Sequence, residues 1–237
     1  MSDEAPVITI DGPSGSGKGT VSRLLAGRLG WHFLDSGALY RITGLAALRQ
    51  QVSLEDEAAL ARVAAALDIR FEEHDSGADT RFLLAGEDVS DAIRSEDCAA
   101  AASRVAVMSP VREALLKLQR DCRRQPGLVA DGRDMGTVVF PTAELKIFLV
   151  ASAEERAKRR YKQLKDKGIG VSLGSLLADI EERDARDSNR SVSPLIRAAD
   201  AVLLDSTDKG INDVVDIVMA CWQTVVAGNY CTNGVSV

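Results

Sequence analysis

The chain has 237 residues, 46% hydrophobic and 27% charged, with a formal net charge of −6 at pH 7. This is the composition of a soluble globular protein, and the length suits one domain carrying an insertion. It excludes a membrane-spanning run and wholesale nucleic-acid binding, and the acidic start Met1-Ser2-Asp3-Glu4 is wrong for a secretory leader.

Residues 6–11 form an apolar β-branched run that reads as a buried strand ending in Asp11. Gly12-Pro13-Ser14-Gly15-Ser16-Gly17-Lys18-Gly19-Thr20 follows, and residues 21–29 then carry apolar side chains at helical spacing. Strand, glycine-rich turn and helix are the context of a phosphate-binding loop. The glycines let several N–H groups converge on an anion, the helix dipole adds positive potential, and Lys18 supplies a mobile charge for the outer phosphates. These nine residues are therefore expected to bind ATP. The common pattern puts Ser or Thr straight after the lysine, where its hydroxyl meets Mg²⁺. Here Gly19 stands there and Thr20 comes one later, the ending used by nucleoside monophosphate kinases, in which the metal leans on phosphate oxygens and water.

Residues 31–35 suit a second strand, and Ser36 opens a helix running through Arg41. His32 reads as a satisfied strand histidine and His74 as a solvated one. A surface helix spans about 55–67. Residues 67–72 and 80–85 form two strands of an antiparallel hairpin around a turn at 75–79, marking about 66–98 as an inserted module. Helices return at 97–107 and 109–124, the latter started by Ser109 with Pro110 at the first helical position. After the break at Gln125-Pro126-Gly127, residues 128–131, 145–150 and 201–205 complete five parallel strands separated by helices. Ligands should gather at the carboxyl edge of such a sheet, where Asp11, Asp35, Asp131 and the glycine-rich loop fall. The tail after about Gly228 is expected to fray. Cys98, Cys122, Cys221 and Cys231 show no paired spacing and read as reduced cytosolic thiols, neither disulfide nor zinc site.

Arginines mark the strand ends. Asp131-Gly132-Arg133-Asp134 follows the third strand directly, and Asp131 is the acid expected to help hold Mg²⁺, with Thr20, indirectly through water. Arg156, Arg159 and Arg160 share one helical face, while Arg183, Asp187 and Arg190 share another. A flexible stretch at 165–170 separates the two, so residues 155–190 read as a hinged lid over a phosphate site. Neither histidine is well placed for acid–base chemistry and no paired catalytic carboxylates stand out. Phosphoryl transfer onto a phosphate needs neither, because the acceptor oxygen is already anionic and the task is to hold two anions in line. The inventory points to a nucleotide kinase.

On residues 8–15, 35–41, 131–141 and 183–190 the chain closely resembles bacterial cytidylate kinases, over about residues 5–210. The resemblance implies a P-loop α/β core with a five-stranded parallel sheet, a monophosphate-binding insertion with a small antiparallel sheet, and a short helical lid. The core would be residues 1–36 and 100–230, the monophosphate-binding region 37–99, and the tail 228–237. Arg41, Arg133 and Arg190 would hold the acceptor phosphate, Ser103, Arg112 and Asp134 would contact cytosine, and Arg183 and Asp187 would lie near the ribose. Ser36 fits a place beside the acceptor, and Arg160 resembles the lid arginine that follows the moving phosphoryl group. Lys18, Arg133, Arg160 and Arg190 are the expected catalytic set. A carboxylate at Asp134 can accept from cytosine's exocyclic amino group, a donor uracil lacks.

The implied reaction is ATP + CMP (or dCMP) to ADP + CDP (dCDP), with Mg²⁺, in the cytoplasm, by a monomer with no obligate protein partner and no dealings with nucleic acid or membrane. Two rivals stand beside it: a P-loop kinase for another acceptor, such as AMP, UMP or a small metabolite, and a nucleotide-binding switch. A guanine-nucleotide switch would need an Asn-Lys-x-Asp motif, which the sequence lacks.

Overall fold

The structure, a computed structural model, describes residues 4–72, 80–166, 168–190, 192–229 and 231. The predicted turn at 75–79, His74 and most of the tail lie outside them. In chain order the elements are β1 (Val7–Asp11), α1 (Lys18–Leu29), β2 (His32–Asp35), α2 (Ser36–Arg49), α3 (Glu57–Ala65), β3 (Ile69–Glu72), β4 (Arg81–Leu84), β5 (Glu87–Asp88), α4 (Glu96–Val105), α5 (Ser109–Asp121), β6 (Leu128–Gly132), β7 (Leu145–Val150), α6 (Ala153–Asp166), α7 (Leu173–Asn189), β8 (Val202–Asp205) and α8 (Ile211–Val226). They fall into two compact units, Met1–Phe33 with Arg124–Val237, and Leu34–Arg123.

The first unit is built on a five-stranded sheet of order β2-β6-β1-β7-β8. Its inner strands β1 and β6 are buried at every position, because helices cover both faces of a parallel sheet and leave no side for polar alternation. Parallel register sets Asp11 opposite Gly132 and Phe148, so β1, β6 and β7 deliver their carboxyl ends to one edge. The core joins Ile8, Ile10, Ile147 and Leu149 of the sheet to Val21 and Leu25 of α1 and to Val214, Val215 and Val218 of α8. Trp31 meets Trp222 edge-on at 5.0 Å. A smaller cluster of Ala157, Leu164 and Leu176 holds α6 to α7, the two helices of the predicted lid.

The second unit contains the predicted antiparallel hairpin, with Ile69 opposite Leu84 and Phe71 opposite Phe82. The two phenylalanine rings pack edge-to-face at 5.8 Å. A third strand, β5, which the sequence reading lacks, pairs with β4; its two exposed acidic residues carry no strand signature.

Two local expectations are corrected and one holds. Helix α5 is capped by Met108, so Ser109 is its first residue and Pro110 follows. Ser36 opens α2 as expected, and Asp35 caps that helix by accepting from the Ala38 N–H at 2.9 Å. Cys221 and Cys231 form a disulfide, where reduced thiols were expected, and Cys231 packs on the same core as Cys221 instead of fraying. The ten-residue separation spans the end of α8, and no sequence spacing signals that both thiols meet one core. Among the described residues no helix is long and apolar enough to cross a membrane.

Candidate functional site

The loop between β1 and α1 takes the shape its glycines permit. Gly17 sits at φ 91° as the residue before the helix, a left-handed conformation that strains other residue types. Gly12 passes so close to β7 that a Cβ there would collide with the Leu149 carbonyl oxygen. Lys18 opens α1, 8% exposed, with Nζ donating to the Pro13 carbonyl at 3.1 Å, so the lysine arches back over the loop. The Ser16 hydroxyl is 1% exposed and has no hydrogen-bond partner among the described residues, as suits a loop built to wrap an oxygen-rich anion.

Asp131, 6% exposed at the end of β6, brings Oδ2 within 3.0 Å of where a Gly19 Cβ would stand. Thr20, by contrast, lies on the exposed side of the first turn of α1. Among the described residues no cluster of three or more His, Cys, Asp or Glu could hold a metal by itself. A Mg²⁺ ion carried in by a triphosphate, ligated mostly by phosphate oxygens and water with Asp131 behind, fits these residues.

Asp134, 2% exposed, precedes a single π-type turn at Met135–Val139. Asp11 makes that turn: its two carboxylate oxygens accept the N–H groups of Met135 and Gly136, each at 2.8 Å. Burial pushes the Asp11 carboxyl up from 3.8 to about 6; its two backbone donors and Lys18 pull it down, and Asp134 adds to the rise. Asp11 was legible only as a strand-end acid, since its partners lie 124 and 125 residues away.

The lid residues divide into two groups. Arg133 Nε donates to Asp187 Oδ2 at 2.8 Å, and Asp187 also feels Arg183 and Arg190. Burial raises the Asp187 carboxyl, but Arg133 with the other two guanidinium groups holds it below the usual range. Three predicted arginines thus gather around the predicted carboxylate of Asp187. Arg156, buried on α6, donates to the carbonyls of Ala151 at 3.0 Å and Ser14 at 3.1 Å, and grips Asp184 of α7 through both terminal nitrogens at 3.0 and 2.5 Å. Arg159 reaches the carbonyls of Ser16 at 3.3 Å and Ser206 at 2.6 Å. Arg160 is half-buried on the same helix. Asp184 and Ser206 have no role among the predicted site residues, because helical periodicity names the residues on a face and not what that face meets.

The remaining predicted residues belong to the second unit. Ser36 is buried at the start of α2, and Arg41, half-buried on that helix, donates to the Ile93 carbonyl at 3.0 Å. Arg112, 9% exposed on α5, donates to the Ala106 carbonyl at 2.9 Å and lies over the Tyr40 ring at 5.5 Å. Ser103 is half-buried on α4.

Comparison with known proteins shows the family to which the chain belongs. The family model described as cytidylate kinase matches residues 8–224. The cytidylate kinase of Shewanella sp. (strain MR-4) is 56% identical over 219 residues, 92% of this chain and 95% of that protein. Those of Shewanella loihica and Shewanella sediminis are each 56% identical, over 220 and 224 residues, covering 93% and 94% of this chain and 95% and 97% of theirs.

Proposed function

The chain belongs to the cytidylate kinase family, and on that premise we propose that it transfers the γ-phosphoryl group of ATP to CMP, and to dCMP, giving ADP and CDP or dCDP. The observation carrying the reading is a buried carboxylate, Asp134, next to Arg133 in a unit that also holds the phosphate loop. An acid buried beside cations that hold phosphate suits recognition of a base with an exocyclic amino group.

The loop N–H groups, the α1 dipole and Lys18 hold the triphosphate. Arg133, Arg183 and Arg190, ordered around Asp187, neutralise an anionic acceptor, and Arg41, Ser36, Ser103 and Arg112 of the second unit serve the monophosphate nucleotide. With both anions held and water excluded, the acceptor oxygen attacks in line and no protein base is needed. Mg²⁺, when bound with ATP, neutralises charge on the transferring group; Asp131, and Thr20 through water, would hold it. The enzyme works as a cytoplasmic monomer in pyrimidine nucleotide metabolism; its exposed large apolar side chains come from separate elements.

The test is ADP formation from Mg-ATP with CMP, dCMP, UMP, AMP, GMP and dTMP. Turnover highest with CMP and dCMP is the expected result. Preference for another acceptor discards the cytosine reading while keeping the kinase, and acceptor-independent slow hydrolysis points to a switch.

A further inference from the structure

A loop whose N–H groups converge on an anion must turn its carbonyls outward. Two of those carbonyls are taken up by cations. Arg156 Nη1 donates to the Ser14 carbonyl at 3.1 Å, and Arg159 Nη1 to the Ser16 carbonyl at 3.3 Å. Ser206 Oγ lies within 3.1 Å of the same Ser16 oxygen. The peptides concerned are those whose nitrogens belong to Gly15 and Gly17, the residues of the loop at φ 78° and 91°. A charged donor on a carbonyl polarises its peptide and makes the N–H on the other side a stronger donor. The side chains also touch these glycines: a Cβ on Gly15 would stand 3.2 Å from Arg156 Cβ, and one on Gly17 3.7 Å from Arg159 Nη1.

The guanidinium groups are committed elsewhere as well. Arg156 spends Nε on Ala151 and both terminal nitrogens on Asp184. Arg159 spends Nε on Glu155 at 3.0 Å and Nη2 on Ser206. We propose that Arg156 and Arg159 are positioning residues for the triphosphate: they fix and polarise the Ser14–Gly15 and Ser16–Gly17 peptides, and Asp184 ties that brace to lid helix α7. The proposal rests on reading residues 12–20 as the triphosphate loop. It assigns Arg156 and Arg159 to the loop, apart from the transferring phosphoryl group.

The experiment measures calorimetric ADP binding, together with KM for ATP, KM for CMP and kcat, for the full chain and for Arg156→Lys, Arg159→Lys, Asp184→Asn and Ser206→Ala. A lysine can reach one carbonyl but cannot grip two partners at fixed angles. Arg156→Lys and Arg159→Lys should weaken ADP binding and raise KM for ATP by about tenfold, with KM for CMP within about twofold of native. Asp184→Asn and Ser206→Ala, which leave both arginines in place, should act in the same direction by about threefold and keep the test open if an arginine variant fails to fold. A fall in kcat at unchanged ATP and ADP affinity would make the arginines direct contacts of the transferring group and overturn the proposal. Lowered thermal stability with native kinetics would reduce them to packing and overturn it as well. Native protein that binds no ADP would instead defeat the loop reading itself.

Discussion

Arg133 and Asp187 are joined at 2.8 Å, tying the turn after β6 to lid helix α7 with both side chains mostly buried. Arg183 and Arg190 also act on Asp187, so this carboxylate offsets part of the repulsion among three like charges. Asp187→Asn removes the charge but not the volume, leaving the guanidinium groups to repel one another. The variant should lose about 2 kcal/mol of stability in urea titrations at pH 7, because the charge-assisted hydrogen bond from Arg133 becomes a neutral one and the guanidinium groups lose this counter-charge. Its sign in pH follows from the lowered carboxyl: the contribution is complete above the ordinary 3.8 and disappears as pH falls through the lower folded value. Native and variant stabilities should therefore converge in strong acid. A constant gap there would contradict the ionic role.

Asp11 behaves in the opposite sense. Its carboxyl rises from 3.8 to about 6 in the folded chain, so the fold favours the protonated acid. The stability it lends is complete below 3.8 and is lost as pH rises through 6, by about 3 kcal/mol for a shift of this size. Measured against Asp11→Asn, which does not titrate, the native protein should lose stability between pH 4 and pH 7. At neutral pH it keeps the ionised acid because two backbone donors need an acceptor each, and a single amide oxygen cannot replace two carboxylate oxygens. A stability difference between native and variant that does not change over this range would remove Asp11 as the acid responsible.

What could be read from the sequence tracks how local each cause is. Strands β1, β6 and β7 are apolar runs because a covered parallel sheet leaves no exposed face, and the glycines of residues 12–17 announce a loop by themselves. The arginines of α6 and α7 are visible through helical spacing, and three of the predicted residues, Arg133, Arg183 and Arg190, meet around Asp187. Hidden were features made by distant partners. The π turn at Met135–Val139 depends on Asp11, the Arg156–Asp184 pair links two helices across 28 positions, and Ser206 reaches Ser16 across 190. Strand β5 is two acidic residues held only by backbone pairing with β4.

Base choice is testable at Asp134. Asp134→Ala should raise KM for CMP by at least about tenfold while leaving UMP turnover nearly unchanged, because uracil offers no amino donor for the carboxylate to accept. The ratio of kcat/KM between the two acceptors is the quantity to follow. Equal losses for CMP and UMP would assign Asp134 to the arrangement of the turn and not to the base.

Gly19 sets stability against chemistry within one residue. It lies in the first turn of α1, where alanine is the better helix former by about 0.5–1 kcal/mol. An added methyl, however, would stand 3.0 Å from Asp131 Oδ2, so the carboxylate must swing aside by a few tenths of an ångström to admit it, a cost smaller than the helix gain. Gly19→Ala should therefore fold at least as well as the native chain in thermal melts. It should also need several-fold more Mg²⁺ for half-maximal turnover, about the effect of displacing one outer-shell partner of a metal. Raised stability with an unaltered Mg²⁺ requirement would mean that Asp131 does not serve the metal. A fall in stability would show instead that the Asp131 carboxylate cannot yield, and that the glycine is there for packing.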